Sequence, residues 1–393
     1  MNRPLRVCLY VEYLYPVVSE GRVPFAGGIE VQLALLGRGL VRGGFDVSVV
    51  TCDFGQPDGL EAGGMRLLKS YPPRGGLPVV RFFHPRLTRG IAALRRADAD
   101  VYVVQGASLW AGIVRDVAAA MGRPFVWLVG HDHDVMAALP DVHGWRDRTW
   151  VKRAIHGAAA IVSQTEKQRG MLRESFGRDS VVIANPVELP PDSNVVDAGG
   201  VGAVVWLATY KPEKRPQWFT RFAERHPGVR CRMAGVIPMP PMSRESWDQA
   251  QAVAARCPNL EVLPTIPHER IGEFLRSATL FAHSSPAEGF PNAFLEAWAL
   301  GLPSVTAFDP DGLIVREKLG ACVDDYDRWE AELERRIADP ALRAAEGRRA
   351  RVYAAGHHAP DVIHARLGEV LRGAIGPARA GAVVAMGRER GVR

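Results

Sequence analysis

The chain has 393 residues, 47% apolar and 23% charged, with a formal net charge of +6. That length exceeds one ordinary core and fits two soluble domains. No run reaches eighteen apolar residues, and the first six residues lead straight into VCLYVEYLY without a signal-peptide cleavage pattern, so a cytoplasmic protein is expected.

In chain order, residues 5–12 read as a first strand, PFAGGIE is a loop carrying Gly27 and Gly28, and VQLALLGRGLVRGG is a helix before a second strand at 47–51. This is the β-loop-α-β opening of a doubly wound domain. Strands at 101–104, 125–128, 160–163 and 181–183 alternate with helical stretches, as a parallel sheet requires. The polar segment PPDSNVVDAGG reads as the linker, which puts the first domain at 1–190. A second β/α series occupies 191–358, with strands at 203–207, 229–234 and 260–263, helices at 216–225 and 271–277, and a charged helical pattern over 325–358. The last segment, 359–393, holds an amphipathic helix at 360–373, expected to pack back toward the N-terminal domain, and the frayed tail GPARAGAVVAMGRERGVR.

Five cysteines, Cys8, Cys52, Cys231, Cys257 and Cys322, lie far apart in apolar settings and read as plain thiols. Between Glu61 and Asp98 stand eight basic residues, Arg66, Lys69, Arg74, Arg81, Arg86, Arg89, Arg95 and Arg96, and no acidic one. With Tyr71, Phe82 and Phe83 among them, this stretch suits either a solvated surface or an anionic membrane. No zinc-finger spacing or compact nucleic-acid motif points to nucleic acid.

Four places can carry chemistry. Gly27 and Gly28 leave room for a ligand near backbone N–H groups or simply make a tight turn; no Gly-x-Gly-x-x-Gly follows the first strand. Gly130-His131-Asp132-His133-Asp134 emerges from the strand FVWLV, where His131 can face a substrate, and two His and two Asp in four positions cannot all meet one metal ion. The turn from Thr209 to Pro216 follows AVVWLA and carries Lys214 and Arg215, either a solvated basic turn or the counter-charge for a diphosphate leaving group. FAHSSPAEGFPNAFLEAWALGLPSVT, residues 281–306, reads as strand, turn, helix, strand, with Glu288 before the helix and Glu296 inside it. A helix start there offers backbone N–H groups to a phosphate.

Together these pieces resemble the group 1 family of retaining GT-B glycosyltransferases, which contains bacterial mannosyl-, glucosyl- and N-acetylhexosaminyltransferases. Glu288-Gly289-Phe290-Pro291-Asn292 with Glu296-Ala297 and Gly301-Leu302-Pro303 carry the resemblance, supported by Gly27-Gly28, His131-Asp132, Asn185-Pro186 and Lys214. The resemblance implies an α/β fold of GT-B architecture, two doubly wound Rossmann-like domains facing a central crevice. The first would bind the acceptor and the second a nucleotide diphosphate sugar, UDP- or GDP-linked. It implies that Glu296 binds the donor ribose, that Glu288 contacts the hexose with the backbone of Gly289, Phe290 and Pro291, and that Lys214 with Arg215 holds the diphosphate. It further implies that Gly28 brings backbone close to the phosphate and acceptor, that His131 contacts the hexose, and that no metal is required. A sugar, glycolipid or lipid-linked acceptor and peripheral membrane contact also follow from the likeness. One departure matters: relatives carry Gly-Arg where this chain has Ala208-Thr209, so Thr209 offers the diphosphate a hydrogen bond but no charge, and Lys211 or Arg215 must compensate. The alternative is a nucleotide-sugar-binding protein of the same shape with weakened catalysis.

Overall fold

The structure, a computed structural model, describes residues 3–19, 27–76, 80–238 and 243–376. The start of the PFAGGIE loop and all but the first residue of the C-terminal tail segment lie outside the described residues. Of the described residues, those up to 19, those within 28–186 and those from Pro360 onward form one compact unit, and Gly27 with those within Val187–Ala359 the other.

The first unit contains β1 (Arg6–Tyr10), β2 (Asp46–Thr51), β3 (Leu60–Ala62), β4 (Met65–Lys69), β5 (Val101–Gln105), β6 (Phe125–Leu128), β7 (Ala160–Ser163) and β8 (Val181–Val182), in sheet order β3-β4-β2-β1-β5-β6-β7-β8. Burial on both faces explains why these strands read as continuous apolar runs. Along β1, Cys8 and Tyr10 enter one core cluster with Trp110 and Trp127, whereas Val7 and Leu9 enter the other with Leu33 and Leu40. Helices therefore cover both faces, as the sequence predicts. The sheet is not wholly parallel, however: β3 pairs antiparallel with β4. Gly63 and Gly64, both at positive φ (58° and 76°), make the two-residue turn between them, a conformation that suits a hairpin and favours glycine.

The second unit contains β9 (Ala203–Leu207), β10 (Cys231–Ala234), β11 (Leu260–Val262), β12 (Ala278–His283), β13 (Ser304–Thr306) and β14 (Gly320–Cys322), all parallel, in order β11-β10-β9-β12-β13-β14. Along β9, Val204 and Trp206 face one core cluster and Ala203, Val205 and Leu207 the other. The charged pattern over 325–358 is two helices, Tyr326–Ala338 and Pro340–His357, because Pro340 has no N–H to continue a helix and Asp339 caps the second through Leu342 N–H.

In each sheet the strand order reverses once, between β1 and β5 in the first and between β9 and β12 in the second. Loops leaving the C-terminal ends of strands at such a reversal spread apart and leave a crevice. The candidate residues sit on loops leaving β1, β6, β9 and β12.

The last described helix, Pro360–Ile375, returns to the first unit and adds Ile363, Leu367 and Leu371 to its core. It seats against helix Gly28–Arg42 because Gly39 has no side chain: a Cβ there would fall 1.8 Å from His364 Nδ1 and 2.0 Å from its Cγ. The whole ring would have to move, so Gly39→Ala is expected to cost about 1–3 kcal/mol of stability, read as a lower urea midpoint; an unchanged midpoint would mean that the helix seats differently.

Candidate functional site

In the second unit the loop after β9 makes a 3-10 turn, Pro212–Lys214, and Arg215, in the left-handed region at φ 48°, passes the chain into helix Pro216–Arg225. The loop after β12 runs through Glu288 to helix Asn292–Ala299. That helix ends as its sequence predicts: Gly301 at φ 82° lets its own N–H reach Trp298 O and the N–H of Leu302 reach Ala297 O, which closes the last turn.

The two loops meet. Lys214 Nζ lies 2.6 Å from Glu288 Oε1, with only 17% and 13% of the two side chains exposed. Ser284 Oγ donates to Lys214 O at 2.7 Å and accepts from the Trp206 indole N–H at 3.0 Å, so the lysine's backbone is fixed from the sheet. His283, the buried last residue of β12, places Nε2 3.5 Å from the same Glu288 oxygen, and its ring packs edge-on against Phe294 at 4.8 Å. Burial alone would raise the Glu288 pKa, but hydrogen bonding from His283 and the Lys214 charge outweigh it and hold the carboxyl down to about 2. Glu288 is therefore an anion at neutral pH, a hydrogen-bond acceptor and no proton donor.

Glu296 does not join this cluster. One turn into its helix, it accepts from or pairs with His268 Nε2 at 3.0 Å. Gly289 and Phe290 are buried, and Pro291 occupies the N-cap position of helix Asn292–Ala299. Thr209 is half-buried at the end of β9. Both candidate substitutes for an arginine there have partners of their own: Lys211 lies 3.6 Å from Glu213, and Arg215 pairs with Asp324 and covers the Trp218 ring at 4.9 Å. Asp324 is half exposed, so that pair is weak and Arg215 can leave it.

In the first unit the loop after β6 is organised by a buried carboxylate. Asp134 accepts from the backbone N–H groups of Gly130 (2.8 Å), His131 (3.0 Å) and Ala107 (3.1 Å), and burial nevertheless pushes its pKa above the usual carboxylate range. Asp132 is tied to Lys167 Nζ at 2.7 Å and to Gln168 Nε2 at 3.2 Å. His131 caps the 3-10 turn Asp132–Val135: its Nδ1 accepts from the N–H of His133 at 3.1 Å, which puts the proton of the neutral ring on Nε2. Asp132 and Asp134 are thus engaged in fixing the loop. A third acidic group takes their place, for atoms of His131, His133 and Asp141 lie within 4.8 Å of one another. Gly28 opens helix Gly28–Arg42 after the β1 loop, and Gln32 in that helix donates to Asn185 and accepts from Gln105 at 3.0 Å.

Of the basic run, Arg66, Arg74, Arg81, Arg89, Arg95 and Arg96 are exposed, and three of the eight have partners brought near by folding. Lys69 pairs with Asp53 at 3.0 Å, Arg96 donates to Lys69 O at 2.8 Å, and Arg86 donates to Pro73 O at 3.2 Å. Two large apolar side chains also project: Phe83 is 63% and Trp145 82% exposed, and Arg146 lies over the Phe82 ring at 4.8 Å.

Sequence reasoning missed His283, Ser284 and Asp141 as site partners. A histidine closing an apolar strand just before a polar turn was the available signal for His283, because a buried imidazole needs a partner. Asp141 had none, since nothing in the sequence brings it back to His133.

Residues 26–189 match Glycosyltransferase Family 4, and residues 201–339 match Glycosyl transferases group 1. A D-inositol 3-phosphate glycosyltransferase of Acidothermus cellulolyticus is 31% identical over an alignment of 439 positions covering 96% of this chain and 92% of the relative. Among solved structures, sucrose-phosphate synthase from Thermosynechococcus elongatus superposes with a TM-score of 0.74 at 16% identity, covering 94% of this chain and 98% of that one. Anabaena HepE in complex with UDP-glucose superposes with a TM-score of 0.70 at 15% identity, covering 93% and 99%. At such identities these two show a shared fold.

The pair at the centre of the second unit is checked by acid. Glu288, ionised in the fold down to about 2 against an ordinary 4.5, stabilises the protein above pH 4.5, and that contribution fades as pH falls toward 2. Glu288→Gln is expected to lower stability at pH 7 by about 1–3 kcal/mol and to flatten the loss between those two values, measured by urea unfolding across pH. Parallel curves for both proteins would contradict the pairing.

Proposed function

From a chain that belongs to the group 1 glycosyltransferases and has the GT-B fold, we propose a retaining transfer of a hexose from a nucleotide diphosphate sugar to an acceptor hydroxyl, in the assembly of a bacterial cell-surface polysaccharide or glycolipid. The observation that carries the reading is the Lys214–Glu288 pair at the strand-order reversal. The names of the relatives support a sugar donor: HepE was solved with UDP-glucose, and a Staphylococcus aureus TarM structure holds UDP.

In this reading Lys214 sits where charge grows on the departing diphosphate, and Arg215 swings from Asp324 to share it. Thr209 adds a hydrogen bond, and the N-terminus of helix Asn292–Ala299 faces the anion. Glu288, ionised, accepts hydrogen bonds from hexose hydroxyls beside the backbone of Gly289, Phe290 and Pro291, while Glu296 takes two ribose hydroxyls. His131, with its proton on Nε2, donates to a hexose oxygen, and Gly28 lets backbone approach the phosphate and acceptor. A front-face attack needs no protein base, because the leaving phosphate oxygen takes the acceptor proton as the new glycosidic bond forms.

A panel of nucleotide sugars tested for diphosphate release with candidate acceptors addresses the reading, and absence of any donor binding would overturn it. Glu296→Ala is expected to weaken donor binding by 10-fold or more, about 1.4 kcal/mol, in calorimetry, whereas Glu288→Ala mainly lowers the transfer rate. Unchanged binding in Glu296→Ala would remove that residue from the ribose. A second reading, a donor-binding protein with little turnover, is favoured by Thr209 and by the engagement of Lys211 and Arg215 elsewhere; it predicts binding without release and recovery of transfer in Thr209→Arg.

The acceptor partner in this proposal is a sugar, glycolipid or lipid-linked chain, reached by peripheral contact with an anionic membrane. Phe83 and Trp145 supply apolar contact and Arg81, Arg89 and Arg146 the charge. Sedimentation with anionic vesicles is expected to fall several-fold in 0.5 M salt and in Phe83→Ser/Trp145→Ser, and equal binding to neutral vesicles would remove the electrostatic part.

A further inference from the structure

We propose that His283 is a positioning residue held in reserve for Glu288: when the donor's diphosphate draws Lys214 away, the carboxylate passes to the imidazole and stays ionised and in place. The proposal rests on the placement of Lys214 and Glu288 under Proposed function.

Two donors compete for one oxygen, and they differ in reach and in freedom. Lys214 Nζ holds Glu288 Oε1 at 2.6 Å, whereas His283 Nε2 stands back at 3.5 Å, beyond the usual range of about 2.7–3.2 Å for an N–H···O bond. Lys214 is the movable one: Ser284 fixes its carbonyl, but a flexible four-carbon stem carries the ammonium. His283 is fixed. It closes β12 in register with Thr306 of β13, and its carbonyl accepts from the Ala307 N–H at 3.0 Å and from the Trp329 indole N–H at 3.3 Å. Its ring packs edge-on against Phe294 at 4.8 Å and stacks on Phe281 at 6.3 Å. A carboxylate that loses the lysine comes within hydrogen-bonding distance of Nε2 by a shift of about 0.3 Å.

The surroundings of the ring give it no other polar task. His283 is 2% exposed, Phe281 and Phe294 are fully buried beside it, and Nδ1 has no hydrogen-bond partner among the described residues. An imidazole buried with one nitrogen unpaired costs stability that an apolar side chain in the same space would not. What the histidine supplies in return is a proton on Nε2: facing an anion, Nε2 carries the proton in the neutral ring, and both nitrogens do in the charged one.

Burial sets the need for a second donor. Glu288 is enclosed, and a carboxylate so placed takes up a proton unless a donor or a cation holds it. Lys214, from the loop after β9, and His283, from β12, are the charged or titratable groups that act on it. The diphosphate takes the first. Without the second, the carboxyl pKa rises, and the anion that a hexose hydroxyl needs as acceptor is lost as pH falls through the raised value.

The test uses the full chain and a panel of UDP- and GDP-linked hexoses. His283→Leu, which fills the space of the ring with apolar atoms, is expected to leave the donor KM within about 2-fold and to lower kcat about 10-fold. His283→Gln, whose amide nitrogen stands near the position of Nε2, should recover most of that rate. Because the lost donor raises the Glu288 pKa, the acid limb of kcat should begin at higher pH in His283→Leu than in the wild type. Coincident limbs or an unchanged kcat would overturn the role. A second measurement needs no turnover: His283→Leu should lower the urea midpoint more in a Lys214→Met background than by itself, since there the histidine is the remaining partner of Glu288. Equal shifts in the two backgrounds refute the reserve, and His283→Phe takes the place of the leucine variant if that one does not fold. A protein that shows this coupling but binds no nucleotide sugar refutes the reading under Proposed function and leaves the two-donor hold on Glu288 standing.

Discussion

The second unit depends on one attraction, between Lys214 and Glu288. The two residues are 74 positions apart and belong to loops that leave neighbouring strands, so their contact joins the two sides of the strand-order reversal. Neither loop is regular, and neither would hold its shape by backbone bonding alone. The indole of Trp206, through Ser284, fixes the lysine's carbonyl, while His283 approaches the glutamate from beneath. Electrostatics then orders a surface that secondary structure leaves open.

The first unit solves the same problem with a neutral frame. Asp134 has three backbone N–H donors, and burial wins, raising its pKa; Glu288 has a lysine and a histidine, and they win. Two buried carboxylates on two comparable loops thus shift in opposite directions. The difference lies in the charge of the partners rather than in the depth of burial. One loop is suited to holding a shape, the other to exchanging partners.

Much of this could be read in the sequence, and the limits have physical causes. The parallel strands were legible because burial on both faces leaves uninterrupted apolar runs, and helix Asn292–Ala299 because Pro291 and Gly301 mark its ends. The hairpin of β3 and β4 escaped, although Gly63-Gly64 is a strong two-residue turn signal, because the strands are short and one is half-exposed. In the run from Arg66 to Arg96, counting charge along the chain could not show that carbonyls and carboxylates brought near by folding engage Lys69, Arg86 and Arg96. Spacing likewise set Glu288 before the helix and Glu296 inside it but named no partner for either; the first answers to Lys214 and the second to His268. Partners far apart in sequence are what one-dimensional reading cannot supply.

The chain leaves the first unit at Pro186 and re-enters it at Pro360 with a helix whose Ile363, Leu367 and Leu371 complete one of its cores. Apart from Gly27, the second unit is therefore one stretch of chain, whereas the first is split around it. During synthesis the second can close as soon as its residues have left the ribosome, while the first waits with one apolar face uncovered until the C-terminal helix follows. The domain begun first is finished last, and no contiguous N-terminal fragment contains all of it.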